Sequence, residues 1–233
     1  MKKRICCFIL AFILIAICQA GCGKKDNGMK KVVLNEVAHS IFYAPQYVAI
    51  EMGYFKDAGI DLVLETGFGA DKTMTALISG NADIGFMGSE STIYAYAEGS
   101  KDYAVNFAGL TQRAGNFLVA REKIDNFSWD MVKGKNVLGG RKGGMPQMVL
   151  EYILKANNID PASDLSIDQS VDFGLTAGAF SGNTEYDFTV EFEPGATSLE
   201  KEGKGYVVAS LGVDSGYVPY TAYSAKKRYI QKN

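Results

Sequence analysis

The sequence predicts an α/β protein of two lobes, each a mainly parallel sheet covered by helices on both faces. Two features point there. From Lys31 onward, short apolar strands alternate with amphipathic helices across connections of a few residues, an order that builds parallel sheets. The alternation starts again near Asn116 with no low-complexity linker and no detectable internal repeat. Extended crossings, not a flexible tether, should therefore join the two units.

The elements follow in order. Lys31 to Val37 reads as a strand. Pro45 to Ala58 reads as a helix on Tyr47, Val48, Ile50 and Phe55, with Pro45 near its first turn and Gly59 past its end. Asp61 to Glu65 is a strand, and Lys72 to Ile78 a helix stopped at Gly80. Asp83 to Met87 is a strand, Thr92 to Ala97 a short helix, and Tyr103 to Leu110 a strand. In the second unit, Phe117 to Ala120 and Asn136 to Leu138 read as strands. Met148 to Ala156 reads as a helix whose face carries Val149, Tyr152, Ile153 and Ala156. Leu165 to Ile167, Phe188 to Val190 and Tyr206 to Ala209 continue the strands. Thr221 to Ser224 is a further strand, and Ala225 to Asn233 opens a helix that stops about two turns in, as a C-terminally truncated chain would.

The first residues form a leader. Lys2, Lys3 and Arg4 precede an apolar stretch from Ile5 to Ile17, and Ala20-Gly21 leads into Cys22 and a polar run. This is the order of a secretory signal peptide over residues 1–21. The apolar run of roughly 15 residues is shorter than the about 20 that a spanning helix needs. A cysteine at the cut point makes it a lipoprotein signal, although Gln19 stands where an apolar residue is usual. The expected product is extracytoplasmic and lipid-anchored at Cys22, with residues 22–30 as the linker.

Composition narrows the chemistry. Cys6, Cys7, Cys18 and Cys22 all lie in the leader. An acylated Cys22 leaves no disulfide, no thiolate metal site and no cysteine nucleophile in the mature domain. The formal net charge of -2 falls to -5 once Lys2, Lys3 and Arg4 are removed. No basic stripe remains, so nucleic acid is not an expected partner. The single histidine, His39, cannot make a multi-histidine metal site, and no cofactor is expected.

In open parallel sheets, ligands bind where strand ends lead into helix amino termini. Four glycine-containing or polar turns sit there: Ser40-Ile41-Phe42-Tyr43, Gly67-Phe68-Gly69, Gly88-Ser89-Glu90, and Gly139 to Met145 with Lys142, Gly143 and Gly144. Each alone is also ordinary loop geometry. Gly67-Phe68-Gly69 lacks a dinucleotide fingerprint's third glycine, and the Lys142 loop lacks a phosphate loop's Gly-Lys-Ser/Thr ending. Four together point to one cleft. Phe42, Tyr43, Phe68 and Tyr217 are loop aromatics that either touch ligand or cover a core edge. Arg113 suits a carboxylate or sulfonate, or faces solvent. Glu191 and Glu193 suit a ligand amine, or face solvent. No Gly-x-Ser-x-Gly serine occurs, and any hydrolytic triad would need His39 as base.

Three blocks resemble one family. Gly53-Tyr54-Phe55-Lys56-Asp57-Ala58-Gly59-Ile60-Asp61-Leu62 is similar to the "GYF…G(I/L)DV" block of ABC-transporter solute-binding proteins. The group is the one associated with nitrate, taurine, alkanesulfonates and thiamine pyrimidine precursors. Ala76-Leu77-Ile78-Ser79-Gly80-Asn81-Ala82-Asp83-Ile84-Gly85 resembles the group's "AL-x-x-G-x-(A/V)-D-(I/L/F)-G" block, and Phe192-Glu193-Pro194 its Trp-Glu-Pro turn. The resemblance implies a two-lobe periplasmic-binding-protein type II fold, with lobe I over 31–112, lobe II over 113–215, and a return to an incomplete lobe I over 216–233. It implies hinge closure on a small molecule, a sulfonate or a pyrimidine- or amine-type nutrient, and delivery by a monomer to membrane permease subunits. Ser40, Phe42, Tyr43, Gly67, Gly69, Gly88, Ser89 and Glu90 would line one wall. Lys142 to Met145, Glu191 and Glu193 would line the other, and Arg113 and Tyr217 would also bind the ligand. The rivals are an enzyme of cofactor-precursor metabolism on the same fold, using His39, and a ligand-sensing domain.

Overall fold

The computed structural model describes residues 28–172 and 174–233. The leader and Cys22 lie outside the described residues.

Four strands begin the first sheet: β1 (Lys30–Glu36), β2 (Ile60–Thr66), β3 (Ile84–Gly88) and β4 (Ala104–Thr111). Five build the second: β5 (Asn116–Ala120), β6 (Asn136–Leu138), β7 (Ser166–Asp168), β8 (Phe188–Phe192) and β9 (Tyr206–Ser210). β10 (Thr221–Lys226) returns to the first. The strand orders are β2-β1-β3-β10-β4 and β7-β6-β8-β5-β9. β1 pairs in parallel with β2 and β3, while β10 runs antiparallel between β3 and β4. β6 pairs in parallel with β7 and β8, while β5 runs antiparallel between β8 and β9. The two lobes thus share one arrangement, with a single reversed strand in the same place, although the sequence carries no visible repeat.

Around the sheets lie α1 (Ala44–Glu51), α2 (Tyr54–Asp57), α3 (Ala70–Ser79), α4 (Glu90–Ala97), α5 (Met145–Ala156), α6 (Thr176–Gly182), α7 (Gly195–Lys201), α8 (Leu211–Asp214) and α9 (Lys227–Lys232). The single helix expected over Pro45 to Ala58 is two, because the chain turns at Gly53 with φ +80°, a conformation glycine adopts without a Cβ penalty. α3 buries Thr73, Met74 and Leu77 on one face and stops at Gly80, also left-handed.

α5 starts at Met145, three residues earlier than expected, with Pro146 in its first turn. Its buried stripe is Met145, Val149, Leu150, Ile153 and Leu154. Tyr152, expected on that face, is exposed. Leu150 and Leu154 take the inner positions with Ile153, and each buried side chain contributes about 1.5–3 kcal/mol. They pack with Leu118, Val137 and Val190 as the core of lobe II. α6 and α7 were not evident from the sequence. They carry Gly178, Gly182 and Gly195, poor helix formers, and are held by the buried Phe180, Ala196 and Leu199.

The chain crosses between the sheets twice, after β4 and before β10. The crossings lie side by side: Val218 N–H donates to Gln112 O at 3.0 Å, and Tyr220 N–H to Thr111 O at 3.2 Å. Among the described residues no helix is long and apolar enough to cross a membrane.

Candidate functional site

A cavity of about 450 Å³ lies where both sheets present the carboxyl ends of their parallel strands. Lobe I contributes the turns after β1, β2 and β3, through Ser40, Tyr43, Gly69, Gly88 and Glu90. Lobe II contributes the turns after β6 and β8, through Gly144, Met145, Glu191 and Glu193. β1 and β6 each have a parallel neighbour on either side, so successive connections leave in opposite directions and open a crevice at the strand end.

Glu90 is the most unusual group in it. It opens α4, is 3% exposed, and neither carboxylate oxygen has a hydrogen-bond partner among the described residues. Burial pushes its carboxyl up to about 7, against the opposing pull of the Glu90 and Met145 backbone amides. Those amides lie near enough to act electrostatically without completing a hydrogen bond. Met145 begins α5, so a lobe I carboxylate addresses a lobe II helix terminus across the seam. Gly88 makes this possible: a Cβ there would lie 2.2–2.6 Å from the Glu90 carboxylate.

Two tyrosines flank Glu90. Tyr220 is 3% exposed and its hydroxyl also has no partner. The Tyr43 hydroxyl receives a long 3.4 Å bond from Thr221. Burial holds Tyr220 well above the ordinary tyrosine value and raises Tyr43 to about 12, with the Glu90 charge adding to both. Both therefore stay protonated and can donate.

Across the cavity, Glu191 is equally buried but occupied. Thr189 Oγ1 donates to it at 2.8 Å and Thr176 Oγ1 at 3.0 Å. Its carboxyl is also pushed up to about 7 by burial, against the two threonines. Glu193 caps α7, accepting from Thr197 N at 3.1 Å and Thr197 Oγ1 at 2.9 Å.

Arg141 closes the mouth. Its guanidinium forms a fork with Asp71 of α3 at 2.9 and 3.1 Å and reaches Asp172 at 3.4 Å. The Asp71 pair joins the lobes. His39 also lines the cavity, its Nδ1 2.9 Å from Glu36 Oε1. Glu36 is fully buried and also accepts from Gln46 Nε2 at 2.9 Å, Tyr47 Oη at 2.8 Å and Thr66 Oγ1 at 3.1 Å.

Of the residues expected to bind ligand, nine meet here: Ser40, Tyr43, Gly69, Gly88, Glu90, Gly144, Met145, Glu191 and Glu193. The others lie elsewhere. Phe42 packs at the seam on Tyr43, Phe192 and Tyr220, with ring centroids 5.3–5.7 Å apart. Gly67 sits under the β2 turn, where a Cβ would meet Thr73 and Asn35 at 2.5–2.6 Å. Ser89 Oγ is bound to Pro219 O at 2.6 Å. Lys142 and Gly143 line a second, more open depression of about 590 Å³ beyond Arg141. Arg113 belongs to the crossings: it donates to Gly212 O at 2.8 Å and lies 4.2 Å from the Tyr217 ring centre. The sequence reading did not single out Tyr220, Thr221, Arg141 or Thr176. Thr221 begins β10 and Tyr220 precedes it, and the place of β10 beside β3 is set by tertiary pairing, which no local pattern shows. Arg141 stands beside Lys142 in the Gly139 to Gly144 cluster, and nothing local distinguishes the two cations. Among the described residues no cluster of three or more His, Cys, Asp or Glu could hold a metal.

Residues 41–213 match the family described as NMT1/THI5 like. YtlA of Bacillus subtilis (strain 168), which carries the name of a binding protein, is 49% identical over 233 residues, 100% of this chain and 69% of that protein. Two solved structures are similar in fold. One is the alkanesulfonate-binding protein SsuA of Xanthomonas axonopodis pv. citri bound to MOPS, with TM-score 0.67 and 17% identity, covering 88% of this chain and 68% of that one. The other is the periplasmic nitrate-binding protein NrtA of Synechocystis PCC 6803, with TM-score 0.68 and 17% identity, covering 88% of this chain and 57% of that one. At that identity the likeness shows the fold alone: a periplasmic binding protein fold of α/β lobes.

Proposed function

Because the chain belongs to the NMT1/THI5-like family and its relative YtlA carries the name of a binding protein, we propose that it captures a small organic solute between its lobes and delivers it to the permease of an ABC importer. The observation that carries this reading is the shared cavity. Both lobes line it, and buried Glu90 and Tyr220 face it with no hydrogen-bond partner. A polar group taken from water without a partner costs free energy, and a bound solute would restore the missing bonds. Solute touching both walls favours the closed arrangement by its differential affinity for it. The lobes are 31–112 with 216–233, and 113–215, hinged at the paired crossings. Cys22 holds the chain outside the cytoplasm through acyl chains, and the chain works as a monomer.

The test is solution scattering with and without candidate sulfonates, amines and pyrimidines. Binding should compact the protein and raise its melting temperature. At a hundred times the dissociation constant the gain is about 2.7 kcal/mol. Turnover without compaction would overturn the reading. Metabolic labelling with an alkyne fatty acid, compared with Cys22→Ala, tests the anchor.

One observation favours a second reading. The 2.9 Å contact between His39 and buried Glu36 is the orientation a catalytic base needs. An enzyme reading stands if a purified sample converts a pyrimidine or amine and His39→Ala abolishes that turnover.

A further inference from the structure

We infer that closure of the two lobes is coupled to uptake of a proton by Glu90, so that the solute-free protein closes in mild acid and opens as pH rises. This rests on the hinged lobes of the capture reading and adds a control on them that needs no solute.

The geometry places an ionisable group where lobe motion changes its solvent. The lobes touch here: Arg141 forks onto Asp71, and Tyr94 Oη donates to Met148 Sδ at 3.3 Å. Glu90 belongs to lobe I, at the first position of α4. Part of its cover comes from lobe II, because its carboxylate addresses the Met145 amide at the start of α5, and Gly140, Gly144 and Pro146 line the same cavity. Glu90 is 3% exposed, and neither oxygen has a hydrogen-bond partner among the described residues. Moving the lobes apart withdraws the Met145 wall and lets water reach the carboxylate. Water and the positive end of α4 both favour the ionised form. Closing strips the water and returns no protein donor in its place, which favours the neutral acid.

The direction follows from burial pushing this carboxyl up to about 7 from an ordinary 4.5. The closed form holds the proton more tightly than the open form. Below about 4.5 both forms carry it, and pH does not bias the hinge. Above about 7 neither does, and the cost of closing on a bare carboxylate is fully present.

The other charged groups around Glu90 do not reproduce this coupling. Tyr43 and Tyr220 stay protonated. Arg141 is held by Asp71 and Asp172, and arginine keeps its charge throughout. β3, which leads into Glu90, and β4, which packs on α4, carry no ionisable side chain. On α3, Lys72 reaches back to Phe68 O at 3.5 Å. Glu98, at the far end of α4, lines the open depression beyond Arg141. Histidines change charge near neutrality, but the His39 pair with Glu36 lies wholly within lobe I and moves as a unit. Glu193 caps α7 inside lobe II. Glu191 is as buried as Glu90, yet its donors Thr189 and Thr176 belong to its own lobe and travel with it. An ionised Glu191 therefore stays bonded in either arrangement.

The test is small-angle scattering of the solute-free full chain between about pH 5 and 8, with far-UV circular dichroism on the same samples. The radius of gyration should grow with pH at constant circular dichroism, as the ratio of closed to open form falls by about tenfold or more. Glu90→Gln should stay compact across the range. Glu90→Met, neutral and of similar length, should do the same and serves if the glutamine variant does not fold. Glu191→Gln should keep the larger part of the response. A radius independent of pH, a response that the Glu90 variants keep, one that Glu191→Gln abolishes, or expansion with loss of circular dichroism overturns the coupling. Millimolar taurine, benzylamine and aminopyrimidine, each added at the alkaline end where the parent is open, read capture separately. Compaction by any of them leaves capture standing whatever the pH response. A response through Glu90 in a protein that none of them compacts supports the coupling and counts against capture.

Discussion

Glu36 and Glu90 are both buried carboxylates of lobe I at the carboxyl ends of neighbouring strands, and they have opposite surroundings. Glu36 ends β1 and receives bonds from His39, Gln46, Tyr47 and Thr66. Glu90 follows β3 and receives none among the described residues. Burial alone therefore does not mark a binding group. A carboxylate whose acceptor sites are filled by its own chain fastens the turn after β1 to α1. A carboxylate left unfilled beside a cavity is available to something from outside. Glu191 stands between them: perturbed as strongly as Glu90 in acidity, yet bonded by two threonines.

The contrast can be broken experimentally. The largest effect should come from Glu36→Ala, which strands four donors and should cost about 3–5 kcal/mol in denaturant unfolding. A cost below about 1 kcal/mol would put Glu36 in the same class as an ordinary surface carboxylate.

Next comes pH. Glu90 and Glu191 have folded values of about 7 against an ordinary 4.5. Each favours the folded state fully below about 4.5, and that contribution is lost as pH rises through about 7. The loss should be on the order of 3 kcal/mol per group in the solute-free protein. The titratable groups around Glu90 are Tyr43 and Tyr220 in lobe I, with Arg141, Glu191 and Glu193 facing from lobe II and His39 at the rim. The tyrosines titrate far above this window. Glu90→Gln should remove roughly half of the pH slope of unfolding between about pH 5 and 8. A slope unchanged from the parent would mean that Glu90 is not the buried acid described here.

Arg141→Ala should act more weakly. The Asp71 fork is partly solvent-exposed, and such pairs contribute about 0–1 kcal/mol. Because the fork joins the lobes, the change should appear as a larger radius of gyration without solute and little change in unfolding. The smallest effect is expected from Arg113→Ala and Tyr217→Ala. Both belong to the crossings, so the affinity for any solute that compacts the protein should change by less than about threefold. A larger loss would place the crossings within the recognition surface.

The strands were legible because each is a short apolar run between turn residues, and α3 because Met74 and Leu77 share a face before Gly80. The positions of strand-end turns gave nine cavity residues. The rest depended on distance along the chain. The helix break at Gly53 is a matter of one left-handed glycine inside an otherwise helical pattern. α6 and α7 are glycine-bearing segments held in helical form by Phe180 and Leu199, so packing overrides local preference. Tyr220 is 130 residues from Glu90 in sequence, and only the insertion of β10 beside β3 brings them to one cavity. Arg113 and Tyr217 satisfied each other, an outcome that charge and aromaticity alone do not reveal.

The place of β10 between β3 and β4 bears on the order in which the chain acquires its shape during synthesis. β3 and β4 leave the ribosome early, yet neither pairs with the other, and the strand that bridges them follows some 110 residues after β4. All five strands of the second sheet emerge in that interval, so the later lobe can complete its hydrogen-bonding first. Protease protection of stalled nascent chains should appear over residues 116–210 before it appears over 84–111, and the reverse sequence would show that β10 is dispensable for seating β4.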